Sequence, residues 1–247
     1  MSWARLEPLE RWVPLFEREG IASVADVIER AECVRDLPDR ANLRLDLAGR
    51  LVHVKLAKSG DAFPRPPACV PAPEVVFVGY DPDRGAVLGT LDVSPARPVD
   101  DLLREGALSA QTQQRLLRSL AHAVADLHQR GLRHRDLYLN HVYVDPARGD
   151  PLVAIIDWDR LGTAFRALGR RTAKDLAALM SSIPADTVHG FVPLRFLVLY
   201  LRRRELRGRR RVRRFLRRVD SKVGRIRRHR PRTPVGDAAR PEGGRLA

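Results

Sequence analysis

The sequence predicts an α+β protein of two lobes facing each other across a cleft, with a small antiparallel sheet in the first lobe and helices in the second. Three observations carry that reading. Up to about residue 93, apolar and polar residues alternate with period two in short runs separated by turn residues. After Ser94-Pro95 the apolar residues recur at helical spacing instead. Between the first of these helices and the rest stands HRDLYLNHVYVD, residues 134 to 145, a polar loop followed by the apolar run LVAIIDWD at 152 to 159.

The first lobe is assigned to residues 1–93. RANLRLDLAGRLVHVKLAK, 40 to 58, alternates on both sides of Ala48-Gly49-Arg50 and reads as a hairpin, with strands over 43–47 and 51–56 and a turn at Gly49. In the connection FPRPPACVPAP, 63 to 73, proline removes backbone donors and fixes φ, so no helix is expected. EVVFVGYD and GAVLGTLDV then read as two more strands, joined by a turn around Asp81-Pro82-Asp83.

The second lobe is assigned to 94–230. SAQTQQRLLRSLAHAVADLHQRGL sets Leu116, Leu117, Leu120, Val124 and Leu127 on one helical face, with Ser109 as N-cap and Gly131 after the last turn. LVAIIDWD reads as a short strand, KDLAALMSS as the core of a helix, and about 191–205 as another helix. Residues 231–247, rich in Pro, Gly and Ala, are expected to be disordered.

Composition narrows the function classes. A 247-residue chain with 44% hydrophobic residues can form a sizeable core. Cys33 and Cys69 are too few and too isolated for a disulfide framework or a metal knuckle, which suits a reducing cytoplasm. MSWARLEPLERW lacks the apolar core of a signal peptide, and FVPLRFLVLYL at 191 to 201 is about half a membrane span and contains Arg195, so a soluble protein is expected. The net charge of +15 is local. Residues 202 to 232 hold sixteen arginines and Lys222 against Glu205 and Asp220, and the remainder is neutral in sum. Within that segment Val212, Phe215, Leu216, Val219, Val223 and Ile226 follow helical periodicity, which predicts an amphipathic basic helix.

Phosphoryl transfer asks a protein mostly for positioning and charge neutralisation: a carboxylate for the attacking hydroxyl, a carboxylate for the metal that bridges the phosphates, and a cation on the nucleotide. The chain offers all three. Asp136 lies in a loop where a helix end, a glycine and His134-Arg135 coincide. Asp157 ends the apolar run VAII, 21 residues further on. Lys55 lies late in the strand after the hairpin, on a face that alternation leaves undecided between Val52 and His53. No glycine-rich phosphate loop is present, and backbone amides around 39–42 are the remaining candidates to cover a phosphate. Asp175 is either an acid at a helix N-terminus or an anchor beneath the catalytic loop. Against the protein-kinase loop His-Arg-Asp-x-x-x-x-Asn, His141 stands where asparagine is expected, and Asn140 comes one residue early.

Together these motifs resemble the lipopolysaccharide core heptose kinases, relatives of the protein-kinase fold. That family's loop is similar to His-Arg-Asp-x-Tyr-x-x-His, matched by His134, Arg135, Asp136, Tyr138 and His141. Its Ile-Asp segment followed by arginine is matched by Ile156, Asp157 and Arg160, and its Lys-Asp-Leu-Ala helix start by Lys174 to Ala177. The resemblance runs from about Leu43 to Leu216. It implies a two-lobed protein-kinase-like fold and a phosphotransferase that uses ATP and Mg2+. Asp136 would be the catalytic base, Lys55 and Asp157 would bind the nucleotide, and Asp157 would hold the metal, with His141 either a second metal ligand or an ordering residue. His134, Arg135 and Asp175 would support the loop. The acceptor implied is a heptose hydroxyl of the lipopolysaccharide core, with Kdo or another small molecule as the alternative.

Kinases of this fold pair the lysine with a glutamate on a helix between its strand and the next. Here residues 57 to 74 carry five prolines, so that helix is expected to be missing and the first lobe reduced, with Asp61 or Glu74 as substitutes. A non-catalytic kinase-like module that binds anionic membrane or nucleic acid through its arginines is the rival reading. The basic segment 202–230 suits an anionic membrane surface, which implies a cytoplasmic protein peripheral at the inner membrane. Nucleic acid is not expected, because Phe215 is the segment's one stacking aromatic, and no protein partner is expected.

Overall fold

The chain opens with a strand, β1 (Arg5–Pro8), and two short helices, α1 (Val13–Glu19) and α2 (Val24–Arg30), none of which the period-two pattern reveals. They form for local reasons. α1 stops where Gly20 takes a left-handed conformation, φ 64°, that a side chain would oppose. α2 starts in a capping box: Ser23 Oγ accepts the amide of Asp26 at 3.1 Å, and Asp26 accepts the amides of Ser23 and Ala22 at 2.8 and 2.9 Å. These bonds hold the Asp26 carboxyl below its ordinary pKa. The computed structural model describes residues 4–58, 62–164, 168–184 and 191–229, with the side chains of 191 and 192 not described.

Five further strands complete an antiparallel sheet: β2 (Glu32–Asp36), β3 (Arg40–Leu47), β4 (Arg50–Ala57), β5 (Val75–Asp81) and β6 (Gly85–Leu91). Their order is β1-β5-β6-β4-β3-β2. In β3, Ala41, Leu43, Leu45 and Leu47 are buried while the residues between them are exposed. The turn at Ala48-Gly49, with φ of 53° and 77°, closes the expected hairpin in register, Leu47 opposite Arg50. One core lies against this face, with Phe16 and Phe77 edge to face at 5.4 Å.

Between β4 and β5 the described residues, 62–74, form no helix. The proline-rich connection instead crosses to the helical part, where Val70 joins the second core and Pro71 accepts the amide of Ile155 at 2.9 Å. Of residues 39–42, considered above as a phosphate cover, 40–42 belong to β3 and stand in its ladders with β2 and β4, and the Asp39 carbonyl accepts the amide of Lys58 at 2.9 Å.

The rest is helical with small strand pairs. In order come β7 (Arg97–Pro98), α3 (Val99–Arg104), α4 (Ala110–Gln129), β8 (Leu132–Arg133), β9 (Val142–Val144), β10 (Leu152–Ile155), β11 (Gly162–Thr163), α5 (Arg170–Ser181), α6 (Phe191–Arg203) and α7 (Arg209–His229). β10, β9 and β7 form one antiparallel sheet, β11 and β8 another. Ser109 caps α4 by accepting the amide of Thr112 at 3.1 Å. The expected strand over 152–159 stops at Ile155, because Asp157 is left-handed at φ 68° and Trp158–Arg160 form a 3-10 turn. α7 buries Phe215 and Val219 against the second core, which also takes Leu216, Val223 and Ile226, and exposes nearly all its arginines. The tail expectation for 231–247 lies outside the described residues. Among the described residues no helix is long and apolar enough to cross a membrane.

Candidate active site

The alternation of β4 settles the face that the sequence left open. Val52, Val54 and Leu56 fill the core, so Lys55 stands with His53 on the opposite side. Its Nζ donates to Asp157 Oδ1 at 2.5 Å and to Asp159 Oδ1 at 2.8 Å. The lysine of the sheet thus meets the left-handed turn that follows β10. Glu74 is not its partner. Trp12 Nε1 donates to Glu74 at 2.6 Å and Arg11 pairs with the same carboxylate, so Glu74 ties the N-terminal segment to the start of β5. Asp61 lies outside the described residues.

The loop after β8 supplies the second half. Asp136 receives Arg160 Nη1 on both carboxylate oxygens, at 3.0 Å each. His141 Nδ1 lies 2.8 Å from the Asp136 carbonyl, an acceptor only, so the proton sits on Nδ1. Its Nε2 lies 3.7 Å from Asp157 Oδ2. Asp136, His141, Asp157, Asp159, Arg160 and Lys55 form one connected set.

Beneath the loop lies a buried polar chain. Asp175, fully buried, accepts the amides of His134 at 2.7 Å and Arg135 at 3.1 Å. It stands in the second turn of α5, so the alternative of an acid at a helix N-terminus does not hold. His128 Nε2 lies 3.3 Å from Asp175, its Nδ1 2.9 Å from the Tyr200 hydroxyl, and Arg204 donates to that hydroxyl at 2.8 Å. Arg135 needs this support, since its φ of 77° is unfavourable for a side-chain-bearing residue. His134 is fully buried, with Nε2 2.9 Å from the Ile156 carbonyl and Nδ1 without a partner among the described residues.

Burial and charge sort the titrating groups. Burial pushes the Asp157 carboxyl up, but the charge and hydrogen bond of Lys55 outweigh it, and the net pKa is lowered. Burial raises Asp159, and the adjacent Asp157 outlasts the opposing pull of Lys55. Two carboxylates sharing one ammonium resemble a divalent-cation site in waiting: Mg2+ takes one or two carboxylates together with phosphate oxygens. Asp157 and Asp159 fit that demand. The described residues contain no preassembled group of three or more metal-ligating side chains. Burial lowers the pKa of His134, so it is neutral at pH 7.

Asp159 and the pairing of Arg160 with Asp136 were invisible in the sequence. Only the resemblance marked Arg160, and Asp159 stood merely as the residue after Trp158. Both gain their places from the tight turn at Asp157, which local pattern does not reveal.

Residues 67–192 match the profile of the lipopolysaccharide kinase (Kdo/WaaP) family, half of the chain, and the protein belongs to that family. Its class is therefore that of a kinase, a phosphotransferase acting on an alcohol group. Among solved structures it is similar to "WaaP in complex with acyl carrier protein", at 24% identity and a TM-score of 0.66, over 91% of this chain and 97% of that one. That structure shares the fold, and its named companion is a protein, which runs against the expectation of no protein partner for this kind of chain. No curated protein matches.

Proposed function

We propose that this kinase transfers the γ-phosphoryl group of ATP to a heptose hydroxyl of the lipopolysaccharide core. The carrying observation is the bridge from Lys55 to Asp157 and Asp159, 102 and 104 residues away, beside the Asp136 loop. A sheet lysine meeting a turn carboxylate from the helical part is the arrangement expected where two lobes of a protein-kinase-like fold face one another, and we read 1–93 and 94–230 as those two lobes. Two separate hydrophobic cores, one under the sheet and one among the helices, support the division.

In this reading Asp136 orients the sugar hydroxyl and receives its proton. Asp157 and Asp159 would hold Mg2+; nitrogen is a poor magnesium ligand, so the role of His141, bonded through Nδ1 to the Asp136 carbonyl, is to order the loop. The metal, when bound, supplies neutralisation of phosphate charge. Lys55, beside the same two carboxylates, would be placed to meet the phosphates. Among the described residues Lys55 pairs with Asp157 and Asp159 rather than with a helical glutamate. Asp175, with the amides of His134 and Arg135, keeps the loop in register.

The cationic face of α7 supports a place at the anionic inner face of the cytoplasmic membrane, near the glycolipid acceptor. The companion named for WaaP supports adding a carrier protein to the partners. Thermal unfolding with ATP and Mg2+ tests the nucleotide site. The wild type should gain several degrees at saturating ATP, and Asp157→Ala should gain little. Equal shifts in both proteins would remove Asp157 from the nucleotide site.

A further inference from the structure

Beside Asp136 lies a group of arginines that the steps above do not use. Arg133 in β8 stands opposite Gly162 in β11. A Cβ on Gly162 would lie 3.3 Å from Arg133 Nε and 3.3 Å from Arg135 Cδ, so both side chains lie over its bare backbone. Arg171, in the first turn of α5, donates to the neighbouring Thr163 carbonyl at 3.3 Å. Arg160 leaves the same segment two residues earlier and reaches Asp136.

These guanidinium groups crowd one another. Burial lowers the pKa of Arg133 first, then the charges of Arg135, Arg171 and Arg160 do, and only Asp175 opposes them. Asp175 is spoken for by backbone amides. The side chains of Arg133 and Arg135 have no hydrogen-bond acceptor or ion pair among the described residues, and Arg133 Nε is buried without a partner. Arg160 commits only Nη1 to Asp136. The exposed arginines of α7 are spread along a solvated face, whereas Arg133 and Arg135 lie together over Gly162, within reach of the charges of Arg160 and Arg171. Guanidinium forks match the oxygens of carboxylate and phosphate.

We propose that Arg133, Arg135, Arg160 and Arg171 form an oxyanion subsite next to Asp136, which takes a phosphate monoester or carboxylate already present on the acceptor. The inference rests on the kinase reading of Asp136 and adds the acceptor's chemical class. Arg160 joins the two sites: one nitrogen holds Asp136 while the others face the anion, so a bound acidic group sets the distance from acceptor to base. A neutral sugar would lack that register.

The test has two arms on the full chain. In the first, ATP and Mg2+ are kept saturating, and inorganic phosphate is titrated at constant ionic strength while thermal unfolding is followed. The wild type should be stabilised, and Arg133→Gln and Arg135→Gln should each raise the half-saturating phosphate concentration about tenfold or more. Arg118→Gln, an equal charge change on the exposed side of α4, should respond as wild type. Circular dichroism confirms that each variant is folded, and either variant alone suffices. A response identical in all proteins, or no response of the wild type to phosphate, overturns the subsite.

The second arm measures KM for core oligosaccharide that is intact, stripped of phosphate with hydrogen fluoride, or carboxyl-reduced. One treatment should raise KM about tenfold and should add nothing to the rise caused by Arg133→Gln; which one identifies the anion. Transfer that is indifferent to both treatments overturns the subsite and leaves the kinase reading standing. Phosphate binding lost in the variants, with no transfer to any oligosaccharide, sustains the subsite and defeats that reading.

Discussion

Lys55 joins the sheet to the turn after β10 at the scale of single residues. Its ammonium is divided between Asp157 and Asp159, and one of these carboxyls is held below its ordinary pKa while the other is raised. Such a pair accepts a divalent cation readily, because the cation replaces both the ammonium and the repulsion. His134 provides an independent check. Its folded pKa is lowered, so below about pH 6.5 the unfolded chain takes up a proton that the fold refuses. Stability should therefore be flat in this respect above pH 6.5 and fall below it, by at most about 1.4 kcal/mol per pH unit. Urea denaturation between pH 7.5 and 5 measures this, and His134→Gln should flatten the slope by up to one proton. The sequence singles out Asp136 and Asp157 because each follows a break in periodicity, and Lys55 because it precedes them on an alternating strand; the structure brings Lys55 against Asp157. The sequence missed Asp159 and Arg133, whose partners are distant in the chain or lie across a strand pair only two residues long.

At the scale of elements, the devices that place the site are few. Asp175→Ala leaves the amides of His134 and Arg135 without acceptors in a buried setting, which should cost on the order of 3 kcal/mol and disorder the loop. A urea midpoint unchanged by that substitution would contradict the anchoring role. In the sheet, a Cβ on Gly89 would lie 2.2 Å from the Phe77 ring, so Gly89→Ala should destabilise by about 1–3 kcal/mol. The hairpin of β3 and β4 and the helix α4 were legible because one face of each is buried and the other wet. β2 was not, since all five of its residues are exposed and nothing forces alternation. α1 and α2 were missed because seven residues hold too little periodicity, and the caps that define them are single side chains.

At the scale of the whole molecule, the charge of +15 is concentrated on α7, which packs beside α5. α7 packs its apolar stripe on the second core, and the arginines on its outer face contribute little to folding. Replacing Arg210, Arg213, Arg214 and Arg217 by glutamine should leave the unfolding temperature within a few degrees. It should weaken binding to anionic lipid vesicles about a hundredfold or more at low salt, with no effect on neutral vesicles. Equal binding by the variant would remove α7 from the membrane. The central claim is transfer itself. Incubation of the protein with γ-labelled ATP, Mg2+ and lipopolysaccharide core oligosaccharide should give label on a heptose hydroxyl. Asp136→Ala should lower that rate at least about a hundredfold while still being stabilised by ATP. Undiminished transfer by Asp136→Ala, or label appearing on Kdo alone, would contradict the account.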